Sequence, residues 1–272
     1  MARSRVSRAA LLLTIVASLS ACTTAADEPV RKGGVITLAG STSLQPFAEQ
    51  WAEVYHGGRI IVQAGGSTAG IKAAEDGTAD IGMSSRSLQP AEMAGLTQTV
   101  VARDGIAVIV HAANPVRRLT LLQLRRIYAG EIRNWRTVGG ADATITVITR
   151  EDGSGTRDAF QQFVMGEGNE IATSALVTAY SGGLRKMVSQ DPGAIGYVTF
   201  SQLNTRIHVV AIDGVMPSEP AIASGAYRLQ RPFLFLTRGA PTGAAKAFIT
   251  FVLSDAGQRL ARAQGLAPVS LE

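Results

Sequence analysis

Residues 150–157 contain the residue types that a small-anion site needs, in the order Arg-Glu-Asp-Gly-Ser-Gly-Thr-Arg. They lie between an alternating apolar run at 143–148 and apolar residues with helical spacing at 159–164. The first amides of a helix lack intrahelical partners and carry partial positive charge, and glycine lets a ligand approach them. Hydroxyls add donors, and Arg150 adds a fixed positive charge. The stretch therefore predicts a site for an oxygen-rich anion, although an ordinary capped turn uses the same residue types.

Two further stretches combine small residues and hydroxyls in the same way. Residues 41–43 (Ser-Thr-Ser) and 65–70 (Gly-Gly-Ser-Thr-Ala-Gly) each follow a predicted strand and precede a predicted helix. In α/β sheets, ligands bind beyond the carboxyl ends of the strands. We therefore expect Ser43, Ser67 and Ser154 to converge on one cleft.

The rest of the chain alternates between strand and helix patterns, which favours an α/β fold with parallel pairing. The other predicted strands are 34–40, 59–64, 80–86, 105–111, 193–200, 206–212 and 231–237. The predicted helices include 119–128, with Thr120 as N-cap, and 184–188, 244–253 and 255–264. Residues 217–227 are predicted to form a loop.

The first 21 residues are predicted to be an export signal. Three arginines precede an apolar segment at 9–19, which is too short to span a bilayer. The segment ends in Leu-Ser-Ala-Cys, which resembles the bacterial lipobox, and Cys22 is the only cysteine of the chain. We predict a lipoprotein signal peptide at 1–21, lipidation of Cys22 and a tether at 22–32. The alternative is a plain secretory signal with an incidental cysteine.

Charge gives little support to nucleic-acid binding. Removal of Arg3, Arg5 and Arg8 with the signal lowers the formal net charge from +5 to +2. The remaining residues, 22–272, suffice for one large domain or two lobes. No second cysteine is present, so no internal disulfide is expected.

Several separated motifs, taken together, resemble one family. The motifs lie at residues 40–47, 66–71, 79–82, 119–120, 134–135, 150–156, 193–197 and 231–232. In this order they are similar to the phosphate-binding lipoproteins that feed phosphate ABC importers. That family is a branch of the type II periplasmic-binding-protein fold, and the resemblance covers nearly all of the mature chain.

The resemblance implies an α/β fold of two lobes with the ligand cleft between them. The lobes would be joined by two crossover strands, 105–111 and 231–237. Lobe 1 would comprise 33–111 and 232–272, and lobe 2 would comprise 112–231. The implied ligand is inorganic phosphate, without cofactor or metal. The implied partners are the permease subunits of an ABC importer. The protein would be an extracytoplasmic monomer held at the cell membrane through Cys22.

The resemblance also assigns residues to the ligand. The phosphate-binding set would be Ser43, Leu44, Ser67, Ser85, Arg150, Ser154, Gly155 and Thr156, with Thr42, Thr68, Arg86 and Asp152 as secondary candidates. Leu44 would donate its backbone N–H, and Arg150 would be the single cationic contact.

One position departs from the family pattern. Ser85 occupies the place of an Asp that accepts the proton of phosphate in the best-known members and repels fully ionised sulfate. Selectivity for phosphate over sulfate is therefore in question. Arg86 is either a second cation on the ligand or the partner of an acidic neighbour on the surface, and we favour the second interpretation.

Other classes of protein have weaker support. His56, His111 and His208 lack metal-ligand spacing, and neither a Gly-x-Ser-x-Gly elbow nor a P-loop motif occurs. Glu151 and Asp152 are interpreted as capping or hinge residues rather than general bases. We therefore expect a binding protein and not an enzyme. The alternatives are a binder of sulfate, arsenate or a phosphonate, and a sensing or adhesion lipoprotein without a transport role.

Overall fold

The computed structural model describes residues 34–269, so the predicted signal peptide, Cys22 and the tether lie outside the described residues. The strands are β1 (Val35–Gly40), β2 (Arg59–Ala64), β3 (Ile81–Ser84), β4 (Leu96–His111), β5 (Arg118–Leu119), β6 (Thr146–Arg150), β7 (Leu176–Thr178), β8 (Ala194–Thr199), β9 (Ile207–Val209), β10 (Ala211–Ile212) and β11 (Gln230–Arg238). The helices are α1 (Gln45–Val54), α2 (Ser67–Asp76), α3 (Leu121–Tyr128), α4 (Gly155–Phe160), α5 (Ser181–Val188), α6 (Glu219–Ala223), α7 (Gly243–Leu253) and α8 (Asp255–Ala263). Within residues 34–269, no helix combines the length and hydropathy needed to cross a membrane.

One mixed sheet runs through the described part of the chain. Its strand order is β2-β1-β3-β11-β4-β8-β6-β7, and β9 also pairs with β4. The outer strands pair in parallel: β1 with β2 and β3, and β6 with β7 and β8. The central strands β4 and β11 are antiparallel to each other. The expected parallel pairing is therefore confirmed on both sides of the sheet and wrong at its centre.

The long strand β4 passes from one hydrophobic core to another. Val101 and Ala102 belong to a core that also contains Trp51 and Phe233. Residues 106–110 belong to a second core, built around α3, α4, α5 and β8. The chain thus forms two α/β lobes, as predicted, with β4 and β11 running between them. The residue boundaries predicted for the lobes stay a prediction.

Several local predictions are confirmed. Thr120 caps α3 by accepting a hydrogen bond from the N–H of Gln123 (3.1 Å), and the Gln123 side chain bonds back to the Thr120 amide. Trp51 and Trp135 are almost fully buried, and each indole N–H donates to a backbone carbonyl at 2.9 Å. Both are core residues.

Other local predictions are wrong. The segment predicted as a loop contains α6, because Ser218 caps that helix and Pro220 fits its first turn. The predicted strand at 206–212 is split into β9 and β10, which pair with different strands. β7 was not predicted, since three residues are too few for a periodic signal.

Candidate functional site

The first side of the site follows β1. Gly40 has a φ of +134° and packs against α2, where an added Cβ would lie 2.7 Å from the Cα of Gly70. This close approach brings the turn after β1 beside the start of α2. Ser43 and Ser67 are both buried there. Ser67 Oγ accepts the amide N–H of Ser85 at 3.0 Å and lies 3.2 Å from Ser85 Oγ.

The second side of the site is the turn between β6 and α4. Gly153 has a φ of +84°, which glycine adopts without steric cost. Ser154 caps α4 and accepts the amide N–H of Arg157 at 3.4 Å. Helical backbone continues beyond α4 as a π-helical segment, Gln161–Met165. This arrangement buries Ser154, Gly155 and Thr156 at the helix start, facing the first side.

The two sides meet through their hydroxyls. Ser43 Oγ lies 2.7 Å from Thr156 Oγ1 and 3.1 Å from Ser181 Oγ, although these residues are more than 100 positions apart. Together they line a small, tightly closed cavity between the two sides. Its lining residues are Ser41, Thr42, Ser43, Gly66, Ser67, Ser85, Arg150, Ser154, Gly155 and Thr156. The expected convergence of Ser43, Ser67 and Ser154 is therefore present in the fold.

Arg150 is the buried cation in this lining, with 1% of its surface exposed. Its guanidinium donates to Ser181 Oγ at 2.8 Å and to Thr42 Oγ1 at 3.0 Å. Two further N–H groups form a bidentate pair with the Glu151 carboxylate, both at 2.8 Å. Tyr197 supports the strand end, because its hydroxyl accepts the amide N–H of Arg150 at 3.3 Å. Arg150 is thus held rigidly at the cavity.

A second buried arginine lies one residue layer behind the cavity. Arg231 on β11 pairs with Asp104 on β4, with both side chains fully buried and N–O distances of 2.9 and 3.0 Å. Its Nη1 donates to the Ser85 carbonyl at 3.1 Å and to Thr156 Oγ1 at 2.7 Å, and its Nη2 also donates to Thr199 Oγ1 at 3.1 Å. Thr156 Oγ1 therefore accepts from Arg231 and also shares a hydrogen bond of 2.7 Å with Ser43 Oγ, in which either hydroxyl can be the donor.

Burial shifts the pKa of the carboxyl group in this pair. Loss of solvent raises the pKa of Asp104 to about 6, although the Arg231 guanidinium opposes the change. Asp104 Oδ1 has no hydrogen-bond partner within the described residues. The Asp104 carboxylate still balances most of the Arg231 charge near neutral pH.

Most of the residues assigned from the resemblance line the cavity, and some do not. Leu44 donates its amide N–H to Ser41 Oγ at 3.3 Å and lies outside the lining. Thr68 is also outside it, and its N–H donates to the Gly153 carbonyl at 3.2 Å. Asp152 is 95% exposed at its side chain and pairs with Arg157, so it points away from the cavity.

Arg86 has acidic partners, as we favoured from the sequence, but it is not a surface residue. Only 7% of its side chain is exposed. It pairs with Glu92 at 2.7 Å and with Asp158 at 2.8 Å. The predicted pairing is therefore confirmed and the predicted surface location is wrong.

Sequence reasoning missed three groups. Ser181 begins α5, which follows β7, so this is another strand, small-residue turn and helix start. The segment Ser181-Gly182-Gly183 carried that signal, but β7 was not recognised. Arg231 was noted only as part of a motif, and Ser41 only as part of the hydroxyl-rich turn at 41–43.

The arrangement suits a tetrahedral oxyanion rather than a reaction. Its lining presents hydroxyls, helix-start amides and one guanidinium, and no carboxylate lies among the described lining residues. No metal-binding cluster of His, Cys, Asp or Glu occurs in residues 34–269. Such donors can replace the hydration shell of a buried anion.

Sequence comparisons with known proteins all indicate the same family. Residues 23–256 match the PBP superfamily domain. The chain is 32% identical to the phosphate-binding protein PstS of Bacillus subtilis, over 88% of this chain and 82% of that protein. It is 25% identical to PstS of Borreliella burgdorferi, over 85% of this chain and 88% of that protein.

Solved structures agree with the sequence relatives. A Clostridium perfringens protein, described as a phosphate ABC transporter substrate-binding protein and solved with bound phosphate, is 40% identical. Its TM-score is 0.84, and the match covers 87% of this chain and all of the other. An ABC-type phosphate transport receptor from Vibrio cholerae is 36% identical, with a TM-score of 0.74 and coverage of 86% and 100%.

These relatives are named for binding and transport, which confirms the expectation of a binding protein rather than an enzyme. The matches also confirm the type II periplasmic-binding-protein fold. The chain belongs to the PBP superfamily and, within it, to the PstS-like phosphate-binding proteins.

Proposed function

We propose that this protein captures inorganic phosphate outside the cytoplasm and delivers it to the permease subunits of an ABC importer. The enclosed cavity, lined by hydroxyls, helix-start amides and Arg150, carries the proposal. The phosphate-bound Clostridium perfringens relative supports the choice of ligand. In this proposal the ligand-binding residues are Ser43, Ser67, Ser85, Arg150, Ser154, Gly155 and Thr156, with Thr42 in support.

The donor set is strong enough for tight binding. A hydrogen bond to a charged group contributes about 1.5–3 kcal/mol, and micromolar affinity needs about 8 kcal/mol net. Several such bonds can offset the desolvation of a divalent anion and the closing of the lobes. Because both lobes would contact the ligand, phosphate favours the closed arrangement.

We further propose that residues 1–21 are a lipoprotein signal, that 22–32 are a tether, and that a lipid on Cys22 holds a monomer at the membrane. The lobe boundaries proposed above, 33–111 with 232–272 and 112–231, belong to the same proposal. The lipobox-like sequence before the single cysteine supports it. Replacement of Cys22 by serine should release the exported protein from the membrane fraction. Retention of the Cys22→Ser protein in washed membranes would argue against the anchor.

A second ligand class has one specific observation in its favour. A carboxylate at position 85 would reject a fully ionised anion, but Ser85 supplies a hydroxyl there. The described lining residues include no carboxylate. Sulfate, arsenate and phosphonates therefore remain candidates beside phosphate.

Calorimetric titration of ligand-free protein with phosphate, sulfate and arsenate across pH tests the proposal. We expect phosphate to bind with a Kd of about 1 µM or lower, a net free energy of at least about 8 kcal/mol. A protein that binds none of these ions would refute it. Phosphate uptake by cells that lack this protein separates transport from sensing, since a sensor or adhesion protein would leave uptake unchanged.

A further inference from the structure

Arg86 lies at the junction of the two lobes, beside the proposed site but outside its lining. It follows β3, which packs in the first lobe. Its partner Asp158 lies on α4, whose residues Ala159 and Phe160 pack in the core of the second lobe. The pair therefore connects two separately packed units across the cleft.

Glu92 fixes the orientation of Arg86 from within the first lobe. Two guanidinium nitrogens bond to the two Glu92 oxygens, each at 2.7 Å. The Arg86 guanidinium lowers the pKa of Glu92, so this carboxylate stays charged. The remaining guanidinium nitrogen, Arg86 Nε, donates to Asp158 Oδ2 at 2.8 Å. The arginine is thus pre-organised to receive a carboxylate from the second lobe.

Asp158 lies one helical turn from the cavity. Its amide N–H donates to the Ser154 carbonyl at 2.9 Å, and Ser154 lines the cavity. Beside it, the N–H of Thr68 on α2 donates to the Gly153 carbonyl at 3.2 Å. When Arg86 holds Asp158, it therefore also holds the start of α4, which would contact the ligand.

We propose that Arg86 and Asp158 form an ion-pair clasp that holds α4 against the first lobe and slows ligand release. This inference rests on the proposed function. Arg86 and Asp158 are positioning residues, because neither lines the cavity. The clasp forms only when the lobes are together, so it stabilises the closed complex and leaves the encounter of open protein with ligand unchanged.

Another ion pair also links the two lobes but differs in setting. Arg262 on α8 and Glu219 on α6 lie 2.9 Å apart, and the Arg262 side chain is 60% exposed. Exposed pairs contribute little, because solvent screens them. The Arg86 clasp is more buried, and it acts on the helix that carries the proposed ligand contacts.

Replacement of Asp158 by asparagine tests the clasp with little change in shape. Release of radiolabelled phosphate into excess unlabelled phosphate, followed by rapid filtration, gives the dissociation rate. We expect Asp158→Asn to raise this rate and the Kd roughly three- to tenfold, with an unchanged association rate. Asp158→Glu should restore the rate to within about twofold of wild type, since it keeps the charge.

Asp142→Asn is the matched control, because Asp142 also pairs with an arginine, Arg136, but lies on an exposed surface of one lobe. It should leave both rates unchanged. Equal dissociation rates for wild type and Asp158→Asn would overturn the clasp, and so would an equal rise in Asp142→Asn. A fall in the fraction of active sites without a faster release would also overturn it, because that result indicates misfolding instead of faster opening.

The clasp and the proposed function fail in different ways. If wild-type protein binds sulfate or arsenate instead of phosphate, the proposed function is wrong, and release of that ion tests the clasp in the same way. Release at the wild-type rate from Asp158→Asn would then overturn the clasp as well. A protein that binds none of these ions would overturn both proposals.

Discussion

The two buried arginines near the cavity each have a carboxylate partner. Arg150 pairs with Glu151, and Arg231 pairs with Asp104. Their charges are thus largely balanced inside the protein, and the groups that face the cavity are mainly neutral donors. Such a site can hold an anion by local dipoles and hydrogen bonds without burying an uncompensated charge when the ligand leaves.

Replacement of Arg150 by alanine should weaken phosphate binding about tenfold or more, since it removes charged donors and leaves Glu151 unpaired beside an anion. Calorimetry of the purified variant measures the change. Arg136→Ala is the control, because that side chain is 70% exposed and pairs with Asp142. Unchanged affinity in Arg150→Ala would remove Arg150 from the site.

Replacement of Ser85 by aspartate should increase the preference for phosphate over sulfate. Ser85 is buried in the lining, so a carboxylate there would accept a proton from phosphate and repel sulfate. Competition between the two ions in calorimetry gives the ratio of affinities. Ser85→Asn adds similar bulk without charge and should leave the ratio near that of wild type. An equal or lower ratio in Ser85→Asp would indicate that another group already takes the ligand proton.

The Asp104 carboxyl should make stability depend on pH. Its pKa is raised from 3.8 to about 6 by burial, so the folded protein binds this proton more tightly than the unfolded chain does. Its contribution is therefore most favourable at low pH and is lost as pH rises toward 6, by up to about 3 kcal/mol. Urea unfolding of wild type and Asp104→Asn at several pH values measures the difference. Parallel pH dependences for the two proteins would contradict this assignment.

At the scale of elements, three helix starts surround one small space. α2, α4 and α5 each begin with a serine or glycine after a strand end, and each start lies at the cavity or bonds to its lining. The spacing between α2 and α4 is very tight, because Gly155 has no side chain. A Cβ at Gly155 would lie 2.7 Å from Ser67 Cβ and 2.9 Å from Ser85 Oγ.

Gly155→Ala should therefore prevent full closure and weaken phosphate binding by at least about tenfold, the loss of one charge-assisted hydrogen bond. The fold should persist, since alanine is a better helix former than glycine and each lobe keeps its core. Calorimetry gives the affinity, and urea unfolding without ligand gives the stability. Gly34→Ala, which has nothing within 4 Å of its added Cβ, is the control. Full affinity in Gly155→Ala would show that closure does not need this contact.

At the scale of the whole molecule, β4 and β11 connect two hydrophobic cores and also carry the buried Asp104–Arg231 pair. Arg231 bonds to Ser85 from one lobe and to Thr156 from the other. The connection between the lobes therefore contacts both sides of the cavity. Relative movement of the lobes must therefore lengthen or break at least one of these two contacts.

Ligand binding across two lobes should stabilise the whole fold. At a phosphate concentration of about 100 times the Kd, the free energy of unfolding should rise by about 2.7 kcal/mol. Thermal or urea unfolding with and without phosphate measures the increase, and sodium chloride at equal ionic strength is the control for salt. Arg150→Ala should need a higher phosphate concentration for the same increase. An unfolding curve that phosphate does not shift would contradict binding to the folded state.

Local sequence patterns were enough to predict the α/β class, most of the helices and strands, and the residue types at the site. These features depend on local patterns: apolar periodicity, N-caps such as Thr120, and small residues with hydroxyls between strand and helix. The turns that hold Ser43, Ser67 and Ser154 were found in this way. Arg150 was also found from the residues themselves. The resemblance of the motifs to one family then predicted the two lobes and the role of Arg150 as the single cationic contact.

Which groups share the cavity, and which are paired elsewhere, depends on long-range packing. Ser181 and Arg231 reach the site from distant strands and helices, and Arg86 finds Asp158, 72 positions away. Asp152, next to the site in sequence, points to solvent, and the amide of Leu44 is taken by Ser41. Side-chain direction and long-range pairing depend on how the two cores pack around β4 and β11, and local sequence patterns carry no information about that packing.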